Sequence, residues 1–502
     1  DYEVLGRTSK ESQFQNYSSS LLGAINQEET SNPYSINQSL NYYYTLNETN
    51  IFSLETQYLI EDEDPFYNAV LEEKASYSTT ASELGLDNGQ VNYDIAQDKR
   101  VKSNQVDAKI DYWNILNDKS NINVTLGNLY SNQKFNTDLF QFLDNGDQFD
   151  PTPTINNGLD TNAINYIFND VYVGLHYRLK LGKFTITPGL SAHAYSAKNT
   201  QFGTTYKDNF FRVLPDFNTR IQLKKSENIN FNYSMSTAFT DVTKLARGIV
   251  MNNYNSFFSG NPELESALSH NLNLTYFSFN MFNYTNVFAN VSYNKNIDGI
   301  RNFSEPGIIR INTPLNSNLA DESVNASGRF QRTFGKLRAT ASGNFSYSKF
   351  NNFIGVRQSV NENYTQSYRA QFRTNFRKAP NVELSYRHTI QDTDLGNSRS
   401  KSYTKAPSID FDALVWKVLT FRTDYTYTNF SNDLGAKNTY EFLNASLAYR
   451  KNKDSKWELE LKASNLLGTK SQINTSSSDY TLNTSEYYIQ PRFVTFRVIY
   501  NL

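Results

Sequence analysis

Along most of the chain, apolar and polar residues alternate with a period of two. From Lys336 to Ser348, Leu337, Ala339, Ala341, Gly343, Phe345 and Tyr347 fall on one face, while Lys336, Arg338, Thr340, Ser342, Asn344, Ser346 and Ser348 fall on the other. Successive side chains of a strand point to opposite sides, so this pattern predicts a strand with one apolar and one polar face. Val418 to Thr428 repeats it, with Leu419, Phe421, Thr423, Tyr425 and Tyr427 opposite Thr420, Arg422, Asp424, Thr426 and Thr428. Trp457 to Ser464, Phe52 to Ile60, Phe184 to Ala194, Leu268 to Tyr276 and Val287 to Tyr293 follow the same rule. Helical periodicity is scarce.

The segments are long for a soluble sheet, whose strands are usually about 5–6 residues, and suit strands tilted through a bilayer, which need about 9–11. Their connections alternate in length. Short polar turns are predicted at Asn47–Asn50, Asn117–Asn121, Leu181–Lys183, Lys224–Glu227, Asn280–Asn283, Thr333–Gly335, Arg377–Ala379, Trp416–Lys417 and Lys451–Asp454. Long links are predicted over 63–101, 136–163, 241–266, 298–318 and 467–486. Tight turns on one side and long loops on the other fit an outer-membrane barrel with periplasmic turns and extracellular loops. The expectation is an all-β fold, a large antiparallel transmembrane β-barrel of about 20 strands filling residues 1–502 as one domain. A soluble sandwich would have shorter strands, and a solenoid would show a fixed repeat, which is missing.

Composition fits this inside-out arrangement. The chain has 35 Tyr, 35 Phe and 3 Trp among 502 residues, yet only 38% hydrophobic residues, and its mean hydropathy is −0.61. A wide barrel has no aliphatic core, and aromatic rings gather where its strands meet the headgroups. Tyr42, Tyr44, Tyr58, Tyr276, Tyr293, Tyr347 and Tyr427 all sit on the outward parity. Zero Cys excludes disulfides, thiolate metal sites and a thiol nucleophile. With 48 basic against 50 acidic residues there is no basic excess, so nucleic acid is not an expected partner. No apolar run is long enough for a spanning helix. Asp1 opens without the basic and apolar regions of a signal peptide.

Candidate chemistry is sparse. Ser269, His270 and Asn271 are adjacent, but in a strand His270 faces away from the other two, so they cannot act together. His176 and His193 fall on successive strands, and His388 is isolated. No His-Glu-x-x-His, Gly-x-Ser-x-Gly or phosphate-binding glycine loop occurs, so no catalytic residue is expected. Asp144, Asp147 and Asp150, and the run Glu61 to Asp64, offer oxygen ligands without a metal-ligand spacing; no metal or cofactor is expected. Binding falls to the long links. Loop 63–101 carries Pro65, Phe66 and Tyr67 and a predicted short helix over Asn68–Lys74, and loop 241–266 carries Tyr254, Phe257 and Phe258 near Gly260. Aromatics on exposed loops stack on sugars or peptides, or pack together to fold the loop; both readings stand for Phe66, Tyr67, Tyr254, Phe257 and Phe258.

Three stretches resemble a known family. The last strand, Arg492 to Leu502, puts Val494, Phe496, Val498, Tyr500 and Leu502 on one face and resembles the C-terminal targeting strand of outer-membrane barrels, with Leu502 where an aromatic is usual. Leu461 to Lys470 resembles the asparagine-leucine-phenylalanine stretch before the last strand of TonB-dependent receptors, with Leu467 in place of Phe. Asp241 to Arg247, Gly260 to Leu264 and Ser269 to Tyr276 together resemble the large extracellular loop and following strand of these receptors, in the form found in Bacteroidota outer-membrane barrels; Glu265 and Ser266 replace the usual continuation.

The resemblance implies a barrel of the 22-stranded type around a plugged lumen. Counting back from the last strand, this chain is expected to lack the opening strands, the plug and the TonB-contacting segment. The implied function is active uptake of a bulky nutrient, with outer-membrane lipid and lipopolysaccharide around the barrel and TonB acting through the absent plug. The alternative is a non-transporting structural barrel in a surface-lipoprotein, secretion or barrel-assembly complex.

Overall fold

The alternating segments form one antiparallel sheet in which neighbours along the chain are neighbours in the sheet. The computed structural model describes residues 8–500, apart from 19–20, 73, 152–160, 255, 306–309, 355–356, 378, 397–398, 434, 453–454 and 478–481. The turns expected at Arg377–Ala379 and Lys451–Asp454, the links 136–163 and 467–486, and Leu502 fall wholly or partly outside these described residues.

Thr8–Ser18 pairs with Leu21–Ser31. Leu21–Ser31 and Tyr34–Asn47 are two halves of one long strand broken at Asn32 and Pro33, and Asn50–Glu63 and Phe66–Leu71 are two halves of the next, broken at Asp64 and Pro65. Proline cannot donate to the ladder, so each break falls at a Pro. The Asn32 N–H donates instead to Asp64 Oδ1 at 2.6 Å. Both halves of the second strand pair with Tyr93–Asn117. From there the wall runs through Ser120–Phe142, Ala163–Leu181, Phe184–Gln201, Thr204–Lys224 and Glu227–Ala238. It continues through Ala267–Asn280, Thr285–Ile297, Asp321–Phe334, Leu337–Ile354, Arg357–Thr374 and Asn381–Asp394. Arg399–Val415, Leu419–Asn432, Lys437–Tyr449, Trp457–Ser464 and Phe493–Tyr500 complete it. The fold class and the short turns between hairpins agree with the alternation.

Register makes the two faces continuous across strands. Leu54, Ile110, Leu126, Val173, Ala192 and Val213 lie side by side in one row. Ile110, Leu126, Val173 and Val213 are each exposed by 46–56%, as expected of a lipid-facing band. One residue along, Glu55, Lys109, Gly127, Tyr172, His193 and Arg212 form the matching row on the other face. The extracellular segments fold back against this second, polar face, which marks it as the inside. Farther along the wall it carries Asn271, Asn273, Asn290 and Asn294, joined to one another and to Ser236 and Thr275 by side-chain hydrogen bonds.

Two expectations change. The 63–101 stretch is not a loop with a helix over Asn68–Lys74. Phe66–Leu71 is a strand, Lys74–Glu83 is the helix, and the wall strand resumes at Tyr93. Tyr67, Ala69 and Leu71 alternate with a period of two and are buried, whereas Tyr77, Ala81 and Leu84 follow helical spacing and bury one helix face. The other long links also carry structure: Ile249–Asn253 and Ser256–Ser259 form one hairpin and Ile300–Glu305 and Arg310–Asn316 another. Several wall strands run well past the apolar band. Tyr93–Asn117 has 25 residues, which at about 3.3 Å each is near 80 Å, more than twice a hydrocarbon core.

Candidate functional site at the extracellular mouth

Segment 241–266 enters the mouth of the wall from the extracellular side and packs on its inner face. Its first turn, Val242–Leu245, is capped by Asp241, whose carboxylate accepts from the Thr243 N–H at 2.7 Å; an Asp there satisfies a backbone donor that the turn leaves free. Val242, Leu245, Ala246 and Val250 bury against Phe135, Ile164, Tyr166, Phe168 and Tyr195, all on the inward parity of three wall strands. Gly260 closes the segment on itself. A Cβ there would lie 2.4 Å from the Lys244 carbonyl and 2.6 Å from the Ala246 nitrogen, so only glycine permits this approach.

Beyond the turn, the backbone of the segment is held by side chains of the wall. Gln201 Nε2 donates to the Leu245 carbonyl at 2.8 Å, and Gln201 Oε1 accepts from Arg247 N–H at 3.0 Å. Asn162 Oδ1 accepts from Gly248 N–H at 2.8 Å, Gln97 Oε1 from Met251 N–H at 3.0 Å, and Tyr67 Oη from Tyr254 N–H at 3.1 Å. Gln97, Gln201 and Asn162 are at most 2% exposed. A buried irregular backbone must have its polar groups met, and here Gln201, Asn162, Gln97 and Tyr67 meet them in order along the segment.

On the far side, Met251 and Phe257 join Ile25, Tyr67, Leu71, Tyr77, Leu84, Tyr93 and Ile95 in a second core beneath the helix Lys74–Glu83. Ser256–Ser259 pairs in parallel with Arg310–Asn316, and Ile300–Glu305 pairs with the end of Leu337–Ile354. The mouth is therefore capped from within by a small sheet that joins opposite stretches of the wall.

Four of the five aromatics singled out in the sequence meet in this cap. Phe257 is fully buried. Tyr67 is 8% exposed and donates from its hydroxyl to Gln27 Oε1 at 2.6 Å. Tyr254 turns the hairpin, half-buried, with its carbonyl accepting from the Tyr77 hydroxyl. Phe258 packs, half-buried, on the first core. Burial pushes the Tyr67 hydroxyl up to about 12 and raises Tyr77 and Tyr254 as well. Phe66 stands apart, on the outer face, where it lines a cleft of about 720 Å³ with Asp64, Asp98, Arg100 and Asp138. The solvent-facing hollow of the cap is a cleft of about 300 Å³ between segment 241–266 and the wall, lined by Tyr166, Asn199, Tyr206, Phe210, Phe239 and Glu263. Phe239 lies 4.3 Å from Phe168 and 5.0 Å from Tyr195, centroid to centroid.

The holding residues Gln97, Asn162 and Gln201 are not among the sequence candidates. Amides on the lumen parity look like ordinary wetted wall. The available signal is apolar residues on that parity, as in Ile164, Tyr166 and Phe168, which announces a covering element.

The other candidates resolve locally. Ser269 and Asn271 face inward and bond Asn296 and Ser236, while His270 faces outward and meets Tyr233, as the strand geometry requires. His193 bonds Asp170 and Ser191 at 3.0 Å and is stacked between Tyr172 and Tyr195; His176 bonds Asp216 at 3.0 Å. Asp62 is paired with Arg100 and Lys102, and Glu61 accepts from Ser35. Asp144 accepts from Val91 N–H, and Asp147 is bonded to Asn145.

The model of the outer membrane protein beta-barrel family matches residues 67–500. No curated protein sequence matches the chain. Among solved structures, the FrpB iron transporter from Neisseria meningitidis (F5-1 variant) is 10% identical with a TM-score of 0.45, covering 98% of this chain and 80% of that one. The Serratia marcescens hemophore receptor HasR, in complex with its hemophore HasA and heme, is 12% identical with a TM-score of 0.43, covering 95% and 71%. The siderophore receptor PirA from Pseudomonas aeruginosa is 10% identical with a TM-score of 0.38, covering 92% and 76%.

Proposed function

The chain belongs to the outer membrane protein beta-barrel family, and from that premise we propose that it is the barrel of a TonB-dependent-receptor-like transporter that takes up a nutrient too bulky for a porin. The observation that carries this reading is the cap. A wall with a polar, hydrogen-bonding interior ends at the cell surface in a segment folded into the mouth and held by side chains rather than by a continuous ladder. Such a segment can leave the wall without unpairing any wall strand. Ligand meets the aromatic hollow beside Tyr166, Phe210 and Phe239, the cap shifts, and the solute enters the lumen, with TonB supplying force through a plug.

The chain has no Cys, so a single engineered disulfide tests the motion. In the Gln97→Cys/Met251→Cys protein, oxidation is expected to abolish uptake and reduction to restore it, in cells whose growth depends on this gene. Uptake unaffected by oxidation would overturn a moving cap. A second reading, a structural subunit docking a surface lipoprotein, is favoured by the outer-face cleft around Phe66 and Arg100. Native mass spectrometry of the complex extracted from membranes separates the two: a stoichiometric partner whose loss leaves nutrient uptake intact supports the second.

A further inference from the structure

The inner wall holds a field of arginines that its own carboxylates do not match. Across the strands Asp321–Phe334, Leu337–Ile354, Arg357–Thr374 and Asn381–Asp394, the register places Arg369 directly opposite Arg387 and Arg338 directly opposite Arg373. Arg329 is opposite Ser342, which is in turn opposite Arg369. All lie on the lumen parity. Like charges placed directly across a sheet repel and destabilise it. Arg373 has Glu383 at 3.5 Å. Among the described residues no carboxylate lies within ion-pair distance of Arg329, Arg338, Arg369 or Arg387. The Nε atoms of Arg338 and Arg369 are buried without a hydrogen-bond partner.

The row Arg329, Ser342, Arg369, Arg387 crosses three strand spacings, about 14 Å, and the pair Arg338 and Arg373 lies four residues nearer the periplasmic turns, about 13 Å away. On the other side the same row continues into Phe288 and Phe277, which are opposite each other, with Phe288 also opposite Arg329. These two rings are 40% and 37% exposed, with Thr275 and Asn290 beside them on the same face and Phe279, opposite Asn286, on their other side. Beyond Arg373 the lower row becomes acidic, through Glu383, Asp410 and Asp424 in direct succession, which bounds the cationic area on that side.

We propose that this patch is a lumenal binding site for a polyanionic solute with an aromatic body, its carboxylate or phosphate groups on Arg329, Arg338, Arg369 and Arg387 and its ring on Phe277 and Phe288. A guanidinium offers a planar fork that matches either anion two bonds at a time, which a solvated wall charge does not need. Several forks spaced over about 14 Å select a solute with more than one anionic group. The site deepens the transport reading and rests on it for the direction of flow, but not for binding.

The test is isothermal titration calorimetry on the purified full chain in detergent with two probes, mellitate (a benzene ring bearing carboxylates) and inorganic tripolyphosphate. Saturable binding that weakens with salt is expected, and Arg369→Gln/Arg387→Gln should weaken it about tenfold or more. Phe277→Ala/Phe288→Ala should weaken mellitate alone, and Lys437→Gln, far from the patch, should change neither. If the double arginine variant fails to fold, Arg329→Gln on its exposed side chain carries the same test. Tighter binding of one probe tells carboxylate from phosphate. No binding to the parent, or unchanged affinity in the arginine variants, overturns the site; mellitate binding indifferent to the phenylalanine variants overturns its aromatic part. Binding by a protein whose deletion leaves uptake intact would remove the transport reading and keep the site. Intact uptake with binding lost would do the reverse.

Discussion

Asn162 shows how little holds the cap at one point. Its amide is buried, accepts from Gly248 N–H and donates to Thr137 Oγ1 at 2.8 Å. Asn162→Ala leaves the Gly248 donor buried without a partner, a local cost of about 1–3 kcal/mol. Hydrogen exchange at Gly248 and proteolysis within 241–266 are expected to quicken, while the melting of the wall stays put; a matching drop in wall melting would mean that cap and wall unfold together. Gly260→Ala should be more severe, because its Cβ meets backbone at 2.4 Å rather than a side chain that can turn away. Tyr67 supplies a pH dependence. Its hydroxyl titrates near 12 in the fold, against about 10 when unfolded. The neutral form is the one the cap holds, so its contribution is intact below pH of about 10 and is lost as pH rises through about 12. In ultraviolet titration of tyrosinate, Tyr67→Phe should show one late-titrating group fewer than the parent protein. At this scale the sequence draws attention to Tyr67, Tyr254, Phe257 and Phe258, which the fold brings together as packing of the cap, but is silent on Gln97, Asn162 and Gln201, because a buried amide and a wetted amide on one parity read alike.

At the scale of a strand, the two faces carry opposite tolerances. Leu126 sits in the apolar band, 56% exposed, and Leu126→Arg is expected to cost about 2–4 kcal/mol if that row lies near the bilayer midplane. Asn123, on the lumen face of the same strand with Asp111 at 3.5 Å, should accept Arg at little cost. Denaturant unfolding from lipid vesicles compares the two; equal penalties would contradict the assignment of faces. Glycines on the lumen face make room for flat-lying side chains: a Cβ at Gly127 would sit 2.2 Å from the Tyr172 ring. The wall strands and their tight turns are legible because water on one side and lipid on the other enforce a strict period of two. The extracellular extensions are not. There the inner face is covered by the cap, so residues such as Ile164, Tyr166 and Phe168 are apolar on the parity that is polar lower down, and the alternation blurs into what reads as a loop. The helix Lys74–Glu83, rich in Ser and Thr, has weak propensity of its own and is set by packing Tyr77, Ala81 and Leu84.

As a whole molecule, the sheet is an inside-out wall, lipid on one parity and a polar lumen on the other, closed at the mouth by a segment of its own chain. Nitroxide scanning in lipid vesicles tests all three parts at once, since the chain contains no Cys to remove. Single cysteines are placed in turn at 168–178 and at 242–251, and each label is read for collisions with dissolved oxygen, which concentrates in lipid, and with a water-soluble nickel chelate. Alternation is expected in the first stretch, with 171, 173 and 175 open to oxygen and 172, 174 and 176 open to the chelate, and protection from both reagents is expected at 242, 245, 246, 250 and 251. Alternation of the opposite phase, no alternation, or free access of the chelate to those five buried positions would contradict this arrangement.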